Sequence, residues 1–378
     1  MEEKMSKVHN NSEKTPKKRV LVFGMSNLLG GVETYMLNYY NHLDRSKIQV
    51  DFVTMYPTMY FEKEVEAKGA KVYHVTEVKK NPQKFISEIK SILLNGNYDI
   101  VHINMLSAAN ILPVTIAKSM GVKKIFVHSH NANTPNGLLR KVMHQWNKRK
   151  IVRLATDYLA CSRKAGTWLF GEQLEDQLVI IPNAVEIDQF KFDSDIRSEV
   201  RKELKIDEDQ LVIGHVGAFR EQKNHDFLID IFAAIHKRND KAVLILVGQG
   251  ELQEKIQNKV KQLNLEDNIK FLGVRQDSNR LYQVMDVFVL PSLFEGLPVV
   301  GVEAQAAGLP LIVSDQVTSE LEITSNCQFL TIDDPELWAD AVLAIEPSDR
   351  DMSEVFSKNG YDIDVASRIL NDLYCESK

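Results

Sequence analysis

Short β-branched and aliphatic runs alternate with longer stretches whose apolar positions recur at helical spacing, almost to the end of the chain. Apolar runs of strand length, bounded by polar or glycine positions, read as buried strands. In the first half these are residues 19–24 (RVLVFG), 48–55, 71–75, 99–104, 124–130 (KIFVHSH), 157–162 and 178–183. Helical patterns lie between them, for example 32–43 and 83–95. A second series restarts at 211–218 (LVIGHVGA) and continues with 242–248, 269–273, 287–292 (VFVLPS), 310–315 and 328–332. Strands alternating with helices predict parallel sheets, and two such series predict two doubly wound α/β domains. The charged stretch 190–209 has no strand signal and marks the boundary. Residues 1–17 read as a disordered tail, 18–190 as the first domain, 191–209 as a linker and 210–360 as the second domain, with one amphipathic helix in 361–378.

Composition narrows the class. The chain has 378 residues, enough for two domains of ordinary size, and is 44% hydrophobic and 26% charged, as soluble globular proteins are. A net charge of −6 gives no reason to expect nucleic acid as a partner. Three widely spaced cysteines, Cys161, Cys327 and Cys375, make neither a disulfide framework nor a zinc spacing. The polar N-terminus lacks an apolar signal region, and no apolar run approaches the roughly 18 residues of a membrane span. The expectation is a cytoplasmic protein.

The densest candidate chemistry lies in residues 291–310, PSLFEGLPVVGVEAQAAGLP. After the strand 287–292 come Glu295, the turn Gly296-Leu297, then Pro298, which suits a first helical position because its missing N–H would have no partner there. Glu303 falls about a turn and a half into that helix. A helix start offers free N–H groups to a phosphate, while carboxylates beside it can accept hydrogen bonds from sugar hydroxyls. That combination fits a nucleotide-sugar.

This segment resembles the paired-glutamate signature of the retaining nucleotide-sugar glycosyltransferases of the GT-B fold, family 4, and most of all those that build bacterial capsular and exopolysaccharides. The resemblance spans residues 18 to 376. It implies two Rossmann-like domains facing a central cleft, a last helix that crosses back onto the first domain, and transfer of a hexose or N-acetylhexosamine from a UDP-sugar with retention of configuration. It implies no required metal or other cofactor. It also implies a saccharide acceptor carried on a polyprenyl diphosphate.

Other segments take roles within that frame. Gly30 and Gly31 in LGGVE (29–33) either turn the chain or let backbone approach a ligand, and the resemblance places them against the donor diphosphate and the acceptor. In HSHN (128–131) the resemblance favours His128 over His130 as the residue touching the sugar. The loop VGAFREQK (216–223) matches the family's diphosphate-binding lysine at Lys223 but has Ala218 where an arginine is usual. Arg220 lies two residues on. In an extended segment such positions share a side, so Arg220 either replaces the missing guanidinium or is merely solvated. Gly217, Gly248, Gly296, Leu297, Val299 and Val300 complete the donor-binding set with Glu303. By this reading Glu295 holds the transferred sugar and Glu303 the ribose. Arg220, Lys223 and the helix start near Val299 stabilise the departing diphosphate.

Three further segments bear less. IPNAVEIDQF (181–190) resembles the family's hinge stretch with Ala184 in place of glycine, and carries no assigned chemistry. Asp193-x-Asp195 and Asp362-x-Asp364 have a metal-binding form but lie away from strand ends, and read as solvated or capping residues. The stretch 138–153 is a basic amphipathic helix, either an ordinary solvated face or a surface for the anionic inner leaflet of the plasma membrane. Two competing functions share the pattern: a nucleotide-sugar-binding protein without transfer activity, which Ala218 favours, and a nucleotide-sugar epimerase of the same architecture.

Overall fold

The computed structural model describes residues 16–133, 137–346 and 350–376. The expected tail falls outside the described residues except for Pro16 and Lys17. The first sheet is built from β1 (Lys18–Met25), β2 (Ile48–Thr54), β3 (Val72–His74), β4 (Ile100–Met105), β5 (Lys124–Ser129), β6 (Asp157–Ala160) and β7 (Leu178–Ile180). The second contains β8 (Val212–Val216), β9 (Val243–Val247), β10 (Ile269–Gly273), β11 (Val287–Leu290), β12 (Leu311–Ser314) and β13 (Cys327–Leu330). Their orders are β3-β2-β1-β4-β5-β6-β7 and β10-β9-β8-β11-β12-β13, with every pairing parallel.

Side chains alternate across each strand, yet both faces are apolar because helices cover both. In β1, Val20 and Val22 enter one core layer and Leu21 and Phe23 the other. In β9, Val243, Ile245 and Val247 face one layer while Leu244 and Leu246 face the opposite one. Each sheet runs outward for three strands and then returns to the far side of its first strand. The reversal leaves a crevice beyond the carboxyl ends of β1 and β4, and another beyond β8 and β11, where ligands bind in open α/β sheets.

The stretch expected to link the domains holds the helix Ser194–Leu204, whose Val200 is buried in the second domain's core. Its charges have structural work. Arg197 and Arg201 both pair with Asp286, and they donate to the carbonyls of Val284 and neighbouring residues. The final helix, Ile363–Cys375, crosses back. Its Ile363, Ala366, Leu370 and Tyr374 share a core with Val20, Tyr35 and Tyr39 of the first domain. The crossing is pinned beside the hinge, where Val185 pairs with Asp362.

The two domains also meet through a carboxylate. Ser162 caps the helix Arg163–Phe170 of the first domain, and Glu320 of the second domain accepts from the amides of Arg163 and Lys164 at 2.9 and 3.2 Å. A negative group is favourable at a helix N-terminus.

Candidate active site

The carboxyl edges of the two sheets face each other across a cleft of about 2750 Å³. The helix Val299–Ala306 begins at its floor, with Pro298 as the residue before its first turn, one position earlier than the sequence pattern suggests. The first amides of a helix lack an intrahelical acceptor, and here Val299 and Val300 line the cleft. The domains touch at this point. A Cβ added to Gly31 would lie 3.6 Å from Val299 Cγ2, and one on Gly296 would lie 3.0 Å from the His130 carbonyl oxygen. Ser162 Oγ also donates to the Gly296 carbonyl, and Asn183 Nδ2 to that of Leu297. The Glu295–Leu297 loop is therefore clamped by the first domain.

Both carboxylates of the segment line the cleft in different settings. Glu295 accepts from Lys223 Nζ at 2.7 Å through one oxygen and from Gln222 Nε2 at 2.9 Å through the other. Glu303 is buried and accepts from the Tyr282 hydroxyl at 2.8 Å. Burial pushes its carboxyl up to about 7, partly opposed by the Tyr282 hydrogen bond.

The loop after β8 supplies the cations. Ala218 and Arg220 line the cleft, whereas Phe219 between them turns inward and stacks on His225, ring centroids 4.1 Å apart. The alternation expected of an extended segment therefore puts Arg220 on the side of Ala218. Arg220 is exposed, and among the described residues no carboxylate lies within ion-pair distance of its guanidinium. Gly217 and Gly248 bring two loops into contact. Gly248 has φ +134°, and a Cβ there would fall 2.2 Å from the Gly217 carbonyl oxygen, so no side chain fits.

All the sequence-expected site residues line the cleft except His128. Its ring is fully buried, and His130 takes the cleft position. β5 ends at Ser129, so His128 still follows the strand's alternation into the core, while His130 begins the loop. A column of rings results. His102 Nδ1 lies 2.6 Å from the Tyr374 hydroxyl, His102 Nε2 lies 3.2 Å from His128 Nδ1, His128 stacks on His130, and His130 Nε2 lies 2.8 Å from Asn104 Oδ1. Burial lowers the pKa of His102 and of His130 to about 3, with the neighbouring His102 adding to the effect on His130. His128 is lowered too, first by burial and then by both neighbours.

The basic stretch forms the helix Leu138–Leu154, on the first-domain wall of the cleft. It is held along one side: Ile151 is buried in the first domain's core, the Tyr158 hydroxyl donates to the Val152 carbonyl at 2.7 Å, His144 Nδ1 accepts from the Ala108 amide at 3.0 Å, and Asn147 donates to the Ala108 carbonyl at 2.9 Å. Leu138, Leu139 and Trp146 are 80%, 73% and 72% exposed. Among the described residues, no carboxylate pairs with Arg140, Lys141, Arg149, Lys150 or Arg153. Lys148 differs, because its ammonium lies over the Trp168 ring and burial lowers its pKa. Among the described residues no helix is long and apolar enough to cross a membrane.

The two Asp-x-Asp pairs are helix caps. Asp193 accepts from the amides of Asp195 and Ile196, and Asp362 from that of Asp364. Among the described residues no group of three or more His, Cys, Asp or Glu side chains is arranged to hold a metal ion. Sequence reasoning weighed His130 but set it second to His128, and it missed Gln222, Asn183 and Tyr282; Gln222 and Asn183 lie in stretches it singled out without a role for them, and Tyr282 carried no signal.

Two family models divide the chain. Glycosyltransferase Family 4 matches residues 29–189 and Glycosyl transferases group 1 matches residues 196–363. The putative glycosyltransferase EpsF of Bacillus subtilis is 34% identical over 361 residues, covering 91% of this chain and 93% of that protein. An Escherichia coli protein described as UDP-Gal:alpha-D-GlcNAc-diphosphoundecaprenol alpha-1,3-galactosyltransferase is 28% identical over 239 residues, 61% of this chain and 62% of its own length. The Anabaena protein Alr3699/HepE, solved in complex with UDP-glucose, superposes with a TM-score of 0.73 at 19% identity, over 95% of this chain and 98% of that one. The architecture is that of the GT-B glycosyltransferases.

Proposed function

The chain belongs to the family 4 glycosyltransferases, and from that premise we propose that it moves a hexose or N-acetylhexosamine from a UDP-sugar to a saccharide on a polyprenyl diphosphate, with retention, in bacterial capsule or exopolysaccharide assembly. One observation carries the reading: Glu295, Lys223, Glu303 and a helix start converge in one cleft between the two domains. The UDP-Gal in the description of the Escherichia coli relative and the UDP-glucose bound in the Anabaena structure support the choice of nucleotide.

In this mechanism Glu295 accepts hydrogen bonds from hydroxyls of the transferred sugar and Glu303 from the ribose. As the glycosidic C–O bond breaks, negative charge grows on the diphosphate. Lys223, once it exchanges its pair with Glu295, stabilises that charge together with Arg220 and the amides of Val299 and Val300, and such donors are worth about 2.7–4 kcal/mol each. The departing phosphate oxygen takes the acceptor's proton, and no metal takes part. His130, neutral and at the cleft wall, takes the sugar-contacting role first given to His128. The helix Leu138–Leu154 lays its exposed apolar side chains and unpaired cations on the anionic cytoplasmic face of the membrane, where the acceptor is anchored.

The decisive experiment is a thermal-shift panel of sugar nucleotides followed by a release assay. A UDP-sugar should raise the melting temperature, and free UDP should appear only when acceptor is added. Release without acceptor dependence, or no response to any UDP- or GDP-sugar, would sink the reading.

A further inference from the structure

Tyr282 is buried on the helix Ser278–Val284, and three neighbours fix it. Its carbonyl accepts from Arg350 Nη2 at 3.1 Å, and its ring lies between those of Phe190 and Phe288, with centroids 5.9 and 5.7 Å away. Its hydroxyl reaches Oε2 of Glu303 at 2.8 Å and lies 3.4 Å from the Val300 carbonyl oxygen. Among the described residues no donor reaches Oε1 of Glu303.

We infer that Tyr282 is a positioning residue for the donor: by occupying Oε2 it fixes the Glu303 carboxylate and leaves Oε1 to accept from the nucleotide's ribose. The inference rests on the assignment of Glu303 to the ribose. A glutamate side chain has three rotatable bonds and loses appreciable freedom when ordered. Here that ordering is already in place before the donor arrives, as preorganised binding requires. The hydroxyl has a second effect. Burial disfavours the ionised carboxylate, and the Tyr282 hydrogen bond is the one influence acting against it. An ionised carboxylate accepts two ribose hydrogen bonds more readily than a protonated one. Tyr282 itself stays neutral, since burial first and the nearby Glu303 second raise its pKa well above the ordinary tyrosine value.

Tyr282→Phe removes the hydroxyl and keeps the ring packing. In the ligand-free protein, carbon NMR of the Glu303 carboxyl should show its midpoint, about 7 in the parent, displaced upward by roughly half a unit or more. UDP affinity should fall roughly tenfold, and the pH below which UDP is lost should rise with the carboxyl midpoint. A fully 2′,3′-dideoxy UDP supplies the control. Weaker binding than UDP in the parent, with that gap reduced in Tyr282→Phe, is the expected result. Equal binding of the two nucleotides by the parent removes the ribose assignment, while the ligand-free titration still judges the coupling. An unmoved carboxyl midpoint with unchanged UDP affinity overturns the inference. So does a lower melting temperature with the titration intact, which would make Tyr282 merely structural.

Discussion

Lys223 Nζ lies 2.7 Å from Oε1 of Glu295, so the lysine proposed for the diphosphate is held by the carboxylate proposed for the sugar. Each orients the other, and on the proposed roles a bound donor exchanges that ion pair for two new interactions. Glu295→Gln should therefore abolish measurable transfer while leaving UDP affinity undiminished, within about threefold or roughly 0.65 kcal/mol. Calorimetry with UDP beside a turnover assay checks this. A large loss of UDP affinity would mean that Glu295 serves the nucleotide and that the two carboxylates have exchanged roles.

Arg220 should prove catalytic without being structural. Its guanidinium is exposed and makes no ion pair among the described residues, so Arg220→Ala should leave the melting temperature almost unchanged. Turnover should fall by about two orders of magnitude, the usual cost of one charge-stabilising donor. Ala218→Arg should partly restore it, because both positions face the cleft. Near-normal turnover of Arg220→Ala would make this arginine a bystander.

Arg201 is 1% exposed and shares Asp286 with Arg197. Asp286→Ala would leave a buried guanidinium without its carboxylate, which costs about 3–5 kcal/mol. Urea unfolding should show that loss, and Asp286→Asn should recover part of it by keeping an acceptor for the Val212 amide. An effect below roughly 1 kcal/mol would show that the carbonyls around Arg201 are sufficient.

The buried histidines set an acid limit on stability. In the folded chain the fully buried His102 titrates near 3 and His128 is held below its ordinary value by burial, while in the unfolded chain both take protons at about 6.5. Unfolding therefore takes up protons at acid pH. The stability that comes from keeping these rings neutral is whole above about 6.5 and drains away as pH falls toward 3. Unfolding free energies measured at pH 7.5 and pH 5 should differ in that direction, and His102→Gln should reduce the difference. A pH-independent free energy over that range would contradict the burial of the column.

Both carboxylates were legible in the sequence because they sit on one continuous strand–loop–helix unit, whose turn and proline fix their relative positions. Arg220 could be placed by the two-residue period of extended chain. The histidines were not separable, since the choice between His128 and His130 turns on whether β5 ends at Ser129 or one residue later, and the run KIFVHSH does not mark that end. Tyr282 reads as an ordinary core aromatic in LYQVM; its hydroxyl becomes informative only beside Glu303, 21 residues away. Lys148 looks like its basic neighbours until the helix is packed and its ammonium meets Trp168.

The returning helix Ile363–Cys375 makes synthesis order matter. β1 is made long before the helix that covers it, because the core layer over Val20 and Tyr39 is closed by Ile363, Leu370 and Tyr374, which follow the whole second sheet in the chain. A nascent first domain must wait with that apolar flank uncovered until the second domain has been made, so the two halves mature as one unit although each has its own sheet. A chain stopped at residue 361 should bind a hydrophobic dye and yield to protease in the first domain, far in sequence from the missing segment but directly beneath it. Adding the helix back as a separate peptide should restore protection.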